Sequence, residues 1–163
     1  MKSGRYSGRG SCGQRGIATS SLGKTITRRL QLVVPLVPPS VNHYKEPQII
    51  KRGRFHTLRW EEIPEATIFK LTVRSIARGA SLAPATLSEQ RRTEYILRAV
   101  VFLGAGQRGD GDNFWKVIAD SLTFAGVIHS DAAVKDWHLY KRRDRENPRT
   151  VITITRCRKE TEQ

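Results

Sequence analysis

Phe114, Val117, Ile118, Ser121, Leu122 and Ala125 recur at i, i+3, i+4, i+7, i+8 and i+11 in "DNFWKVIADSLTFAG", the spacing of one buried stripe along an amphipathic helix. Such a helix is marginal in isolation, so the chain must supply an apolar layer for it to lie on. One stands immediately upstream. "TEYILRAVVFLGAG" is a largely apolar run closed by glycines and predicts a strand. Gly126 follows the last stripe residue and stops the helix in the usual C-terminal manner.

The other elements follow from the same rules. From Arg28, "RRLQLVVPLV" predicts a strand, ended by Pro38 and Pro39 because proline cannot donate to a ladder. "QIIKRGRFHTL" predicts a hairpin turning at Arg52-Gly53. In "RWEEIPEATIFKLTVRSIARGA", Ile63, Ala66, Phe69, Val73 and Ile76 are spaced for a first helix, with Pro64 in its first turn and Gly79 as its stop. "LAPATLSEQRR" predicts a loop, while "AAVKDWHLYKRR" and "RTVITIT" predict two strands joined as a hairpin by "DRENP", with Trp137 assigned to the core. The expected class is α+β, a mixed β-sheet covered by two main helices.

An apolar share of 38% over 163 residues suits one core and one domain. Residues 1–27 are rich in Gly, Ser and Arg and contain no acid, which predicts a disordered basic tail. A transit peptide, a nucleic-acid-binding arm and a start assigned too far upstream all fit that composition. The domain is expected over residues 28–158, with a C-terminal tail at 159–163. Cys12 and Cys157 lie far apart and make neither a zinc pair nor a disulfide framework. With no apolar run of about 18 residues, no membrane span is expected.

Twenty-nine basic side chains against 15 acidic ones give a formal net charge of +14, well above the roughly 2 to 8 that keep a small domain soluble. The excess points to a polyanion, either nucleic acid or an acidic membrane surface. Against that background "GDGDNFWKVIADSLTFAGVIHSD" is an acidic island. Asp112 before a helical run is a favoured N-cap, and Asp110 just ahead of it suits the positive helix end. Two carboxylates two residues apart also repel one another, a tension that a hard cation relieves. Asp131 returns after the helix, and whether it reaches the same end depends on the length of the return. Lys116 lies one turn inside the helix, between Asp112 and Asp120 at i, i+4 and i+8; it can meet a phosphate or form an ordinary helix ion pair.

"GDGDNFWKVIADSL" followed by "GVIHSD" resembles the signature of the RusA family of Holliday junction resolvases. The likeness extends to "PPSVNHY" (Pro38, Pro39, Ser40, Asn42, Tyr44) and to Arg54 and His56 in "RGRFH", covering roughly residues 30 to 156. The resemblance implies that Asp110, Asp112 and Asp131 bind Mg2+ and that Lys116 assists at the phosphate, with Asp120 at a common acidic position of the helix. It implies a homodimer that makes paired nicks in four-way DNA junctions during recombination and repair. The expected setting is cytoplasmic and DNA-associated, with no membrane partner. Ser130 stands where many relatives have an acid, and Gly111 replaces an apolar residue, which predicts weaker metal affinity and a looser loop. Lys51, Arg52 and Arg54 in the first hairpin, and Lys141, Arg142 and Arg143 near the end of the "AAVKDWHLYKRR" strand, are candidate backbone contacts. Two rival readings remain: a non-catalytic basic nucleic-acid-binding protein, and a metal nuclease for flaps or other branched DNA.

Overall fold

A computed structural model describes residues 25–40, 45–108 and 111–158. In chain order the elements are β1 (Thr25–Val34), β2 (Lys45–Arg52), β3 (Phe55–Glu62), α1 (Pro64–Ile76), α2 (Leu87–Arg92), β4 (Thr93–Leu103), α3 (Gly111–Phe124), a 3-10 turn (Asp131–Ala133), β5 (Val134–Arg143) and β6 (Arg149–Arg158). Four strands form one sheet in the order β1-β6-β4-β5, with β4 and β5 parallel and the other two pairings antiparallel. The class is therefore α+β with a mixed sheet. α1 and α3 pack on each other and cover one face.

Strand alternation decides which residues make that covered face. Tyr95, Leu97, Ala99, Val101 and Leu103 of β4 are buried, as are Ile152 and Ile154 of β6 and Leu32 and Val34 of β1. Against them α1 sets Ala66, Phe69 and Val73, and α3 sets Phe114, Val117, Ile118 and Leu122. Ser121 sits on the apolar stripe because its hydroxyl donates to the Val117 carbonyl at 2.6 Å, so no buried polar atom is left unmet there. α3 ends in a Schellman motif: Val127 N–H donates to the Leu122 carbonyl and Gly126 N–H to that of Thr123. Gly126 takes φ 70°, which an L side chain rarely adopts.

Several expectations need correction. β5 and β6 are not a hairpin; β4 lies between them. The reason is burial. Thr150, Ile152 and Ile154 are fully buried and claim an inner slot, whereas β5, crowded with exposed charges, suits an edge. The stretch predicted as a loop contains α2, capped by Thr86, whose hydroxyl accepts from Glu89 N–H at 3.3 Å. β1 begins at Thr25, so residues 25–27, assigned to the tail, belong to the sheet, where Thr25 and Ile26 pair with β6. β3 runs past the predicted hairpin to Glu62, and the first helix begins at Pro64, with that proline in its first turn as expected. Trp137 is 43% exposed and stacks on Trp115, at 4.7 Å between ring centroids, at the margin of the core. The tail residues 1–24 and 159–163 lie outside the described residues.

The first hairpin is as predicted, and it forms its own two-stranded ribbon with Arg52 opposite Phe55. Gly53 carries φ 60° and Arg54 a negative φ, the pattern of a type II′ turn that matches the twist of the flanking strands.

Candidate functional site

The loop from β4 to α3 is held at its root by the end of β5. Gly104 N–H donates to Gln107 Oε1 at 2.8 Å. The Arg143 guanidinium donates to the carbonyls of Gln107, at 3.2 Å, and Gly104, at 3.5 Å. Asp144 N–H donates to the Leu103 carbonyl at 3.0 Å, where the chain crosses the end of β4 on its way to β6. Asp144 is itself tied to Arg149, whose hydrogen bond holds the carboxyl below its ordinary range, and the Arg149 guanidinium lies over the Phe102 ring.

α3 starts at Gly111, so Asp112 is the second residue of its first turn rather than the N-cap expected of it. Asp110 and the Asp112 side chain lie outside the described residues. A Cβ on Gly111 would stand 3.4 Å from Leu139 Cδ2, so this position packs against β5 as the first residue of the helix rather than loosening a loop. One turn on, Lys116 is 60% exposed at its side chain and stands 3.7 Å from Asp120, the ordinary i, i+4 partner.

Asp131 is elsewhere. It opens the 3-10 turn, accepting Ala132 N–H at Oδ1 at 2.8 Å. Just before it, His129 Nδ1 lies 3.0 Å from the Tyr95 hydroxyl, and just after it Val134 pairs with Tyr95, at the start of β4. Gly111 by contrast lies beside Leu139, five residues further along β5, about 16 Å at strand rise. Because β4 and β5 are parallel, α3 must carry the chain back to the beginning of the sheet before β5 can start. Within one chain Asp131 therefore does not join the start of α3.

Burial pushes the His129 pKa down, with the Arg156 charge adding to the effect, and burial raises that of Tyr95. A neutral His129 can accept the Tyr95 hydroxyl, so this pair fastens the return to the sheet.

The candidate DNA contacts divide by strand parity. Arg143 points to the α3 side and Lys141 shares its face, while Arg142 lies on the opposite one, in register with Phe102. Lys51, Arg52 and Arg54 form the tip of the β2–β3 ribbon. The sequence reading missed a second basic cluster, a pocket lined by Ser88, Glu89, Arg92, Thr93, Arg156 and Arg158 at the start of β4. Only the Arg91-Arg92 pair hinted at it. It also missed Asp136 and His138, 3.2 Å apart on β5.

Among the described residues no group of three His, Cys, Asp or Glu could hold a metal ion, and no helix is long and apolar enough to cross a membrane. The donor chemistry at the start of α3, two aspartates two residues apart, suits a hard cation of the magnesium type.

A helix start with two aspartates two residues apart, behind a sheet strand and in a strongly basic chain, is compatible with a metal-dependent nuclease, and the match to known families supplies the class. Residues 66–155, more than half of the chain, match the family model Endodeoxyribonuclease RusA. The chain belongs to the RusA family and is an endodeoxyribonuclease of the Holliday-junction type. No curated protein matches it.

Proposed function

We propose that this chain is a magnesium-dependent resolvase that cuts four-way junctions by paired phosphodiester hydrolysis in DNA recombination and repair, acting as a cytoplasmic, DNA-associated homodimer. The observation that carries the reading is the span of the family match, which takes in the strand, the helix start with Asp110, Asp112 and Lys116, and Asp131. Asp110 and Asp112 would hold the cation. Magnesium bound there supplies an activated water and neutralises charge on the phosphate. Lys116, exposed one turn along the helix, is free to swing from Asp120 to a phosphate oxygen.

Asp131 enters this reading through symmetry. A four-way junction asks for matching nicks in two strands, and a two-fold dimer presents two matching sites. Since Asp131 lies by the start of β5 and Gly111, the first residue of α3, lies beside Leu139, Asp131 is assigned to the site built on the partner's α3. Lys141 and Arg143 on the α3 side, and the β2–β3 tip, supply backbone contacts that position the DNA.

The decisive assay uses labelled four-way junction, flap and linear duplex, each with magnesium and with EDTA. Cutting of the junction in magnesium alone is expected, with paired products; cutting of the flap in preference would shift the reading to other branched DNA, and binding without cutting would reduce it to a nucleic-acid-binding protein. Lys116→Ala should lower single-turnover cutting by about a hundredfold, the scale of losing one donor to developing charge, while junction affinity falls by no more than about threefold. Equal losses in the two would make Lys116 a plain backbone contact.

A further inference from the structure

We propose that Phe55, at the tip of the β2–β3 ribbon, is a stacking wedge that takes an unstacked base at the branch point, and so contributes to selection of branched over linear DNA. This rests on the reading of the protein as a junction enzyme.

The ribbon pairs only within itself, and nearly every residue along it is exposed. Phe55 is 76% exposed, far above what an aromatic that completes a fold would show. Its setting matters more than its exposure. Alternation puts Ile49, Leu58 and Trp60 on one face of the ribbon, while Phe55 shares the other with Arg52, its register partner. Arg54 precedes it in the turn, and Lys51 pairs with His56 one step back. Among the described residues Lys51, Arg52 and Arg54 take no ion pair.

Charge is graded along the ribbon. At its base Glu46, Glu61 and Glu62 offset Lys45 and Arg59, whereas Lys51, Arg52 and Arg54 at its tip have no acid near them in the ribbon, none occurring between Pro47 and Trp60. An isolated aromatic among unpaired cations at the end of a projecting arm is poorly suited to a protein core, and well suited to a polyanion that offers π faces. Intact duplex hides those faces in its stack; a branch point, where stacking is interrupted, offers them at lower cost. The II′ turn sharpens the device, because Gly53 closes the ribbon in two residues and leaves Phe55 as the last paired position.

The test is anisotropy titration of the full-length protein in EDTA, on a fluorescein-labelled four-way junction and on linear duplex of the same sequence. Wild type should prefer the junction; if it does not, the junction reading itself fails. Given that preference, Phe55→Ala and Phe55→Leu should each weaken junction binding by about five- to a hundredfold, the range of one lost base–aromatic stack. Duplex affinity should stay within about twofold, and Phe55→Trp should restore junction binding. At so exposed a site all three variants should keep the wild-type melt. A Leu variant that binds junctions like wild type, or an Ala variant that weakens junction and duplex equally, overturns the wedge.

Discussion

Asp112→Asn and Asp110→Asn should each abolish junction cutting in magnesium while junction binding is kept or strengthened. Asparagine preserves shape and removes the charge that a hard cation needs. It also removes a repulsive charge from a site that must meet phosphate. Loss of a ligand should exceed the roughly 10 to 100-fold penalty typical of losing an outer partner of a metal ligand. Both can be measured as single-turnover rates at saturating protein. Asp131→Asn belongs in the same series, with a further prediction. If Asp131 serves a partner's site, mixing Asp131→Asn with Asp112→Asn protein should regenerate one working site per mixed dimer, giving single nicks where neither variant alone cuts. Failure of the mixture, with mixed dimers demonstrated, would remove Asp131 from the shared site.

Ile154→Ala should cost about 2 to 5 kcal/mol of stability, the range for large-to-small substitutions in a core. Ile154 is fully buried on the inner strand β6, between Leu30 of β1 and Leu97 of β4. Its neighbours are held by ladders on both sides and can collapse only slightly into the gap. Val33→Ala is the contrast: that residue is exposed on the edge strand β1, and its loss should stay under about 0.5 kcal/mol. Urea unfolding of both variants, at unchanged m-value, checks the pair. Equal costs would mean that the sheet does not bury the face described here.

Elements whose cause is local were legible from the residues alone. The stripe on α3, the glycine that ends it and the β2–β3 turn each depend on a few consecutive side chains. What escaped was non-local. Nothing in "DRENP" reveals that it spans the end of β4, since the order of strands is decided by which one can afford full burial. α2 was lost for the opposite reason: at six residues it is too short to display periodicity, although the Thr86 to Glu89 spacing of a cap was there to be seen. For the candidate site, the sequence supplied the residues and the family likeness supplied their roles. The separation of Asp131 from the start of α3 needed the parallel pairing of β4 and β5, which no spacing along the chain encodes.

The anchoring of the β4–α3 loop by Arg143 and Asp144 has a dynamic consequence. Both anchors come from the end of an edge strand, which is paired on one side only, and edge elements are among the first parts of a fold to open locally. The root of the aspartate loop and the end of the β5 ladder should therefore exchange with solvent as one unit. Amide hydrogen exchange at Gly104 and Asp144 would rise and fall together, and whatever steadies the free edge of β5 would also steady the ground on which the paired carboxylates stand.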